Sequence, residues 1–114
     1  MSIETLPPQA FDAGRLRRDG TWLVGFLADW CPFCRQFRPK LDAVRGSGTF
    51  EVGIGNLTSD DSPLWDEFGI EVVPALIVFR DGAPIFAAQS DPGVGLPLGT
   101  LERAVAIARA SHPA

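Results

Sequence analysis

Cys31 and Cys34 are the only two cysteines in the chain, and two residues separate them. A bridge between them closes almost no loop, so it restricts the unfolded chain very little. The pair makes poor sense as a structural staple. It makes good sense as a dithiol that forms and breaks a disulfide in use.

The surroundings favour that chemistry. A nearly unbroken apolar run over 21–28 (Trp22, Leu23, Val24, Phe26, Leu27) ends just before Cys31, and Phe37, Leu41 and Val44 follow at helical spacing. Cys31 therefore falls at the N-cap or in the first turn of a helix. Free backbone N–H groups there point toward its sulfur, and the helix dipole favours negative charge. The thiolate is the nucleophile. Pro32 suits the first helical position, because the N–H it lacks has no partner there anyway. Phe33 is an apolar spacer. Cys34 lies three residues on, on nearly the same helix face, and can attack a mixed disulfide formed at Cys31. Two exchanges follow: Cys31 attacks a substrate disulfide, Cys34 resolves it, and an external reductant restores the dithiol. The reverse direction uses the same residues.

Metal binding is the competing reading of the pair. A tetrahedral zinc needs four ligands. The chain offers two cysteines and one histidine, His112, close to the C-terminus. No metal and no cofactor is expected. From another class, the chain is a non-catalytic partner module or a cluster-binding dimer.

The elements that must hold the pair follow from periodicity and breakers. A short strand over 3–6 ends at Pro7-Pro8. A helix is expected over 9–18, with Ala10, Phe11, Ala13 and Leu16 apolar and Asp19-Gly20 as its end. The run over 21–28 reads as a strand buried on both faces. A helix over 35–45 stops at Gly46. A strand over 50–57, a short helix over 63–68 ended by Gly69, and a buried strand over 75–79 come next. Asp81-Gly82 marks a tight turn into a returning strand over 84–88. A Gly/Pro-rich loop spans 91–99, and Leu101, Ala104, Val105 and Ala108 mark a final amphipathic helix. The order β-α-β-α-β-α-β-β-α predicts an α/β fold, a mixed sheet of four to five strands with helices on both faces.

Composition sets limits. A length of 114 residues fits one domain over 1–114, and 46% hydrophobic content builds a core. The net charge is −4 with no basic block, which argues against nucleic acid as a partner. No apolar run approaches the ~20 residues of a membrane span. Residues 1–8 carry Glu4 and two prolines and do not read as a signal peptide, so a cytoplasmic location is expected.

The segment Phe26-Leu27-Ala28-Asp29-Trp30-Cys31-Pro32-Phe33-Cys34-Arg35 resembles the active-site segment of the thioredoxin family. Pro39 matches the proline inside that family's active-site helix. Phe68-Gly69-Ile70, Val73-Pro74, the run over 75–79 and Asp81-Gly82 match its later blocks in order and spacing. The resemblance covers about residues 10–110 and implies a thioredoxin-like fold and protein-disulfide oxidoreductase activity. It implies that Cys31 is the nucleophile and Cys34 the resolving thiol. It also implies a cis Pro74 facing the cysteines, with Trp30, Pro32, Phe33, Val73 and Pro74 forming the substrate surface. The 91–99 loop is expected to border the site. The implied partners are disulfide-containing proteins and an external dithiol reductase or thiol that recycles a monomer. The implied setting is electron transport and cell redox homeostasis.

Two departures stand out. Where thioredoxins carry a buried Asp six residues before the first cysteine, this chain has Gly25, and the partner Lys of the next strand falls near Ile54. The usual proton acceptor for Cys34 is therefore absent, since a buried carboxylate speeds deprotonation of such a thiol. Asp29 is expected to face solvent and not to replace it. Second, Pro32-Phe33 resembles the Pro-Tyr of glutaredoxins. However, Ala28-Asp29-Trp30 lacks the basic residue usual there, and Ser90-Asp91-Pro92-Gly93-Val94-Gly95 does not match the glutathione-holding segment. A protein disulfide is expected as substrate in preference to glutathione. The alternatives are a disulfide oxidase or isomerase, or a glutaredoxin-like activity. Arg15, Arg17 and Arg18 are expected on a solvated face, and Arg35 and Arg38 on the surface of the active-site helix.

Overall fold

The computed structural model describes residues 4–45 and 50–110. Ile3, Gly46 and His112, on which expectations fell, lie outside the described residues.

The chain runs β1 (Glu4–Leu6), a 3-10 turn (Pro8–Ala10), β2 (Phe11–Asp12), β3 (Arg15–Leu16), β4 (Thr21–Leu27), α1 (Pro32–Ala43), β5 (Glu51–Asn56), α2 (Leu64–Glu67), β6 (Ala75–Arg80), β7 (Ala83–Gln89) and α3 (Leu98–Ala110). Five strands form one sheet in the order β1-β5-β4-β6-β7. β1 and β4 flank β5 in parallel, and β6 and β7 add antiparallel. The expected mixed sheet is present. No helix among the described residues is long and apolar enough to cross a membrane.

β4 is the central strand, and all seven of its residues are buried. Alternation of side chains sends Trp22, Val24 and Phe26 to one face and Leu23, Gly25 and Leu27 to the other. On the first face Phe26 meets Phe11 and Phe68 at centroid distances of 5.6 and 5.2 Å, and Phe79 joins them. Such tilted and edge-on pairs add to the burial of large apolar area. Gly55 on β5 makes room for this cluster, because a Cβ there would lie 2.5 Å from the Phe26 ring. α2, ending at Phe68, covers this face. On the other face α1 brings Leu41 onto Gly25.

The helix expected over 9–18 is not there. A 3-10 turn over Pro8–Ala10 leads into a two-residue hairpin in which Phe11 faces Leu16 and Asp12 faces Arg15. Ala13 and Gly14 take φ of 52° and 78°, the left-handed pair that a tight hairpin turn demands. Phe11 and Leu16 both reach the core, as the helix would also have required. The apolar positions alone do not distinguish a turn of helix from a turn of hairpin.

The second turn follows the sequence. Asp81 and Gly82 have φ of 48° and 91° and join β6 to β7 with Arg80 opposite Ala83. The Asp81 carboxylate accepts the Gly20 N–H at 2.8 Å, which ties this turn to the start of β4.

Candidate active site

β4 stops where its last amides change partners. Cys31 is the N-cap of α1 and Pro32 its first residue. The Cys31 N–H donates to Ala28 O at 3.2 Å, and Cys31 O accepts from Arg35 N at 3.1 Å, so the turn closes directly into the helix. The preceding residues are pinned from outside. Asp29 N–H donates to the Thr58 hydroxyl at 2.9 Å, and the Trp30 indole N–H donates to Thr58 O at 2.9 Å. Trp30 is thereby held in place while 53% exposed. The Asp29 side chain faces solvent, and its carbonyl accepts from Arg35 at 2.9 Å.

The two sulfurs sit differently. Cys31 is 6% exposed and Cys34 2%. The Cys31 thiol donates to Val73 O at 3.7 Å, across the chain from the cis Val73–Pro74 bond. Cys34 lies one turn deeper and accepts the Ala28 N–H at 3.4 Å. Burial pushes the Cys34 thiol up from 9.0 to about 12. The Ala28 N–H and the charge of Arg35 pull it down, and a hydrogen bond and charge from Cys31 push it further up.

The ground beneath Cys34 is apolar. Gly25 pairs with Ile54, the position where a partner lysine would fall. A Cβ on Gly25 would lie 2.6 Å from Leu41 Cδ2. Leu41 is fully buried and fills the volume a longer residue at 25 would need. The absent carboxylate is therefore replaced by hydrocarbon and leaves no empty socket.

Val73, Pro74, Pro32 and Phe33 gather around the thiols with Trp30. Pro74 is fully buried and Phe33 half-buried. Phe33 packs against Gly95, where φ is +87° and a Cβ would lie 2.9 Å from the ring. The 91–99 loop thus borders the dipeptide, and only glycine fits at the contact.

Sequence reasoning missed three supporting residues. Thr58 lies just past the strand expected over 50–57. Gln89 Oε1 accepts the Glu71 and Val72 N–H groups at 2.8 and 3.3 Å, and its Nε2 donates to Gly69 O at 2.8 Å. The buried Ser90 hydroxyl donates to Pro74 O at 2.6 Å. Gln89, the last residue of β7, and Ser90 after it clamp the 69–74 segment on both sides of Val73. A polar pair ending a hairpin carries no signal in one sequence, because its partners lie 16–20 residues away.

A Cys-x-x-Cys pair at the start of a helix, fed by the central strand of a mixed sheet and faced by a cis-proline, defines a thioredoxin-fold thiol–disulfide oxidoreductase. The comparisons agree. Residues 2–94 match the Thioredoxin family model. The chain is 30% identical over 104 residues to thioredoxin of Porphyra purpurea, spanning 90% of this chain and 92% of that one. It is 31% identical over 74 residues to thioredoxin of Rhodospirillum rubrum, spanning 64% and 71%. The solved thioredoxin f from spinach chloroplast superposes with a TM-score of 0.75 at 17% identity, over 95% of this chain and 87% of that one. A mutant thioredoxin from Halobacterium salinarum gives 0.70 at 19% identity, over 98% and 93%. These two structures share the fold. The chain belongs to the thioredoxin family, and its chemistry is thiol–disulfide exchange.

Two outcomes test this geometry. Gly25→Asp overpacks against Leu41 and buries an acid, so it lowers unfolding free energy by about 2–4 kcal/mol in urea titration. Paired with Leu41→Ala it loses at least about 1 kcal/mol less than the two single losses added, because the sites share one volume. In hydrogen exchange, Gln89→Ala exposes the Glu71 and Val72 amides about tenfold faster while the β4–β6 ladder keeps its protection. Unchanged exchange at those two amides removes the clamp.

Proposed function

We propose that the protein reduces protein disulfides, with Cys31 as nucleophile and Cys34 as resolving thiol. The observation that carries this is the stacking of the two sulfurs. Cys31 lies at the helix N-cap beside Val73 O, and Cys34 is one turn deeper in a dry site.

The Cys31 thiolate attacks one sulfur of the substrate disulfide. A mixed disulfide forms and one substrate thiolate leaves. Cys34 then gives up its proton and attacks Cys31 Sγ. The Cys31–Cys34 bond forms, the second substrate thiolate departs, and two electrons have passed to the substrate. The departing thiolates take up the Cys34 proton, since Gly25 offers no carboxylate. An external dithiol or thiol then reduces the Cys31–Cys34 bond.

The substrate chain lies along Trp30, Pro32, Phe33, Val73 and Pro74. Its backbone takes over Val73 O from the Cys31 thiol, as an added strand would. The reducing direction is supported by the likeness to thioredoxins over most of the chain, a family whose couple sits at about −270 mV. A reductant of protein disulfides is kept as a dithiol in a reducing compartment, so a cytoplasmic location goes with this reading.

Equilibration of the pair in defined thiol buffers is expected to give a potential of about −270 mV, against roughly −180 to −120 mV for an isomerase or oxidant. A value in the upper range reverses the assigned direction. Cys31→Ser is expected to abolish turnover of a peptide disulfide. Cys34→Ser accumulates a mixed disulfide, visible as added mass in the intact protein. In the wild type, release of that intermediate accelerates with pH, by up to about tenfold per unit, because the Cys34 thiolate fraction grows at that rate below its pKa. Full activity of Cys31→Ser overturns the mechanism.

A further inference from the structure

Beside the thiols lies a cleft of about 120 Å³ that the exchange steps do not use. Phe33, Phe37, Pro74 and Leu96 are among its walls, and Gln36 and Lys40 line it as well. Phe33, Gln36, Phe37 and Lys40 follow the spacing of one helix face along α1. Phe33 and Pro74 belong to both the cleft and the active site, so a chain bound at Cys31 passes its mouth.

Lys40 is the only charged residue lining the cleft. Among the described residues it has no ion-pair partner, whereas the nearby Asp42 is paired with Arg45 at 3.6 Å. The reach of Lys40 is set by helix geometry. Nine residues at about 1.5 Å place Lys40 roughly 13 Å along the axis from Cys31. A helical side chain leans toward the N-terminus, which recovers about one turn, or ~5 Å. About 8 Å of axial separation remains. Nine residues at about 3.6 per turn put Lys40 half a turn round the helix from Cys31, so the ammonium lies roughly 12 Å from the reacting sulfur. An extended chain advances about 3.3 Å per residue.

We propose that this cleft is a subsite for an acidic side chain of the substrate, three or four residues from the cysteine that Cys31 attacks. The carboxylate pairs with Lys40 and accepts from the Gln36 amide, while the stem of the side chain lies on Phe33 and Phe37. The inference rests on the reading that Cys31 attacks peptide disulfides.

Two disulfide peptides test it, identical except for Glu or Lys at the third and fourth positions on both sides of the cysteine. The wild type is expected to favour the Glu peptide about fivefold in kcat/KM, mainly through KM, and less so at high salt. Lys40→Met removes the preference and Lys40→Glu reverses it. Arg38→Glu, an equal charge change on the same helix outside the cleft, leaves it in place. Equal rates for both peptides overturn the subsite while leaving the exchange chemistry intact. So does an equal shift from Arg38→Glu and Lys40→Glu. If neither peptide is reduced, the disulfide-reductase reading falls and takes the subsite with it.

Discussion

Everything at the site depends on how β4 ends. The strand is paired on both edges, with β5 parallel and β6 antiparallel, so its position is fixed along its whole length. At Ala28 the ladder stops and the N–H turns to the Cys34 sulfur instead of a strand carbonyl. The same residue's carbonyl takes the Cys31 N–H. One residue, Ala28, therefore anchors both cysteines, Cys31 through its backbone and Cys34 through its sulfur. α1 then starts at Pro32 with no orphaned donor at that residue.

The second constraint is dryness. Leu41 packs on Gly25 on the side of the sheet that α1 covers. A family position that holds an acid elsewhere holds no side chain here, and hydrocarbon fills the gap. Cys34 thus has polar contacts from the Ala28 N–H and Cys31 alone, and no acid or base is buried among the described residues. Burial then dominates its acidity. The neutral thiol is therefore favoured.

Around this core, three loops converge from different parts of the chain. Thr58 holds Asp29 and Trp30 from the end of β5. Gln89 and Ser90 hold the cis-proline segment from the end of β7. Gly95 lies against Phe33. Each is a short polar or close-packed contact between segments far apart in sequence, and each fixes one wall of the site.

The cysteine pair, its place at a strand-to-helix junction, Pro32 as the first helical residue, and the buried strands were all legible from residue types and spacing. They rest on local rules: apolar run length, helical period, and the chemistry of proline and glycine in turns. The Asp81-Gly82 turn was legible for the same reason. The segment over 9–18 was not, because Phe11 and Leu16 reach the core from a hairpin as well as from a helix, and only packing against Phe26 and Phe68 selects between them. The absence of an acid at Gly25 could be read from the sequence, but its consequence could not. Only the tertiary structure shows Leu41 occupying that volume. Nor could the sequence reveal Thr58, Gln89 and Ser90 as supports, since a hydrogen bond between distant segments leaves no periodic trace. The sequence by itself determined which atoms react. The packing of α1 and three distant loops onto the sheet decided how dry the site is, what faces it and what can approach.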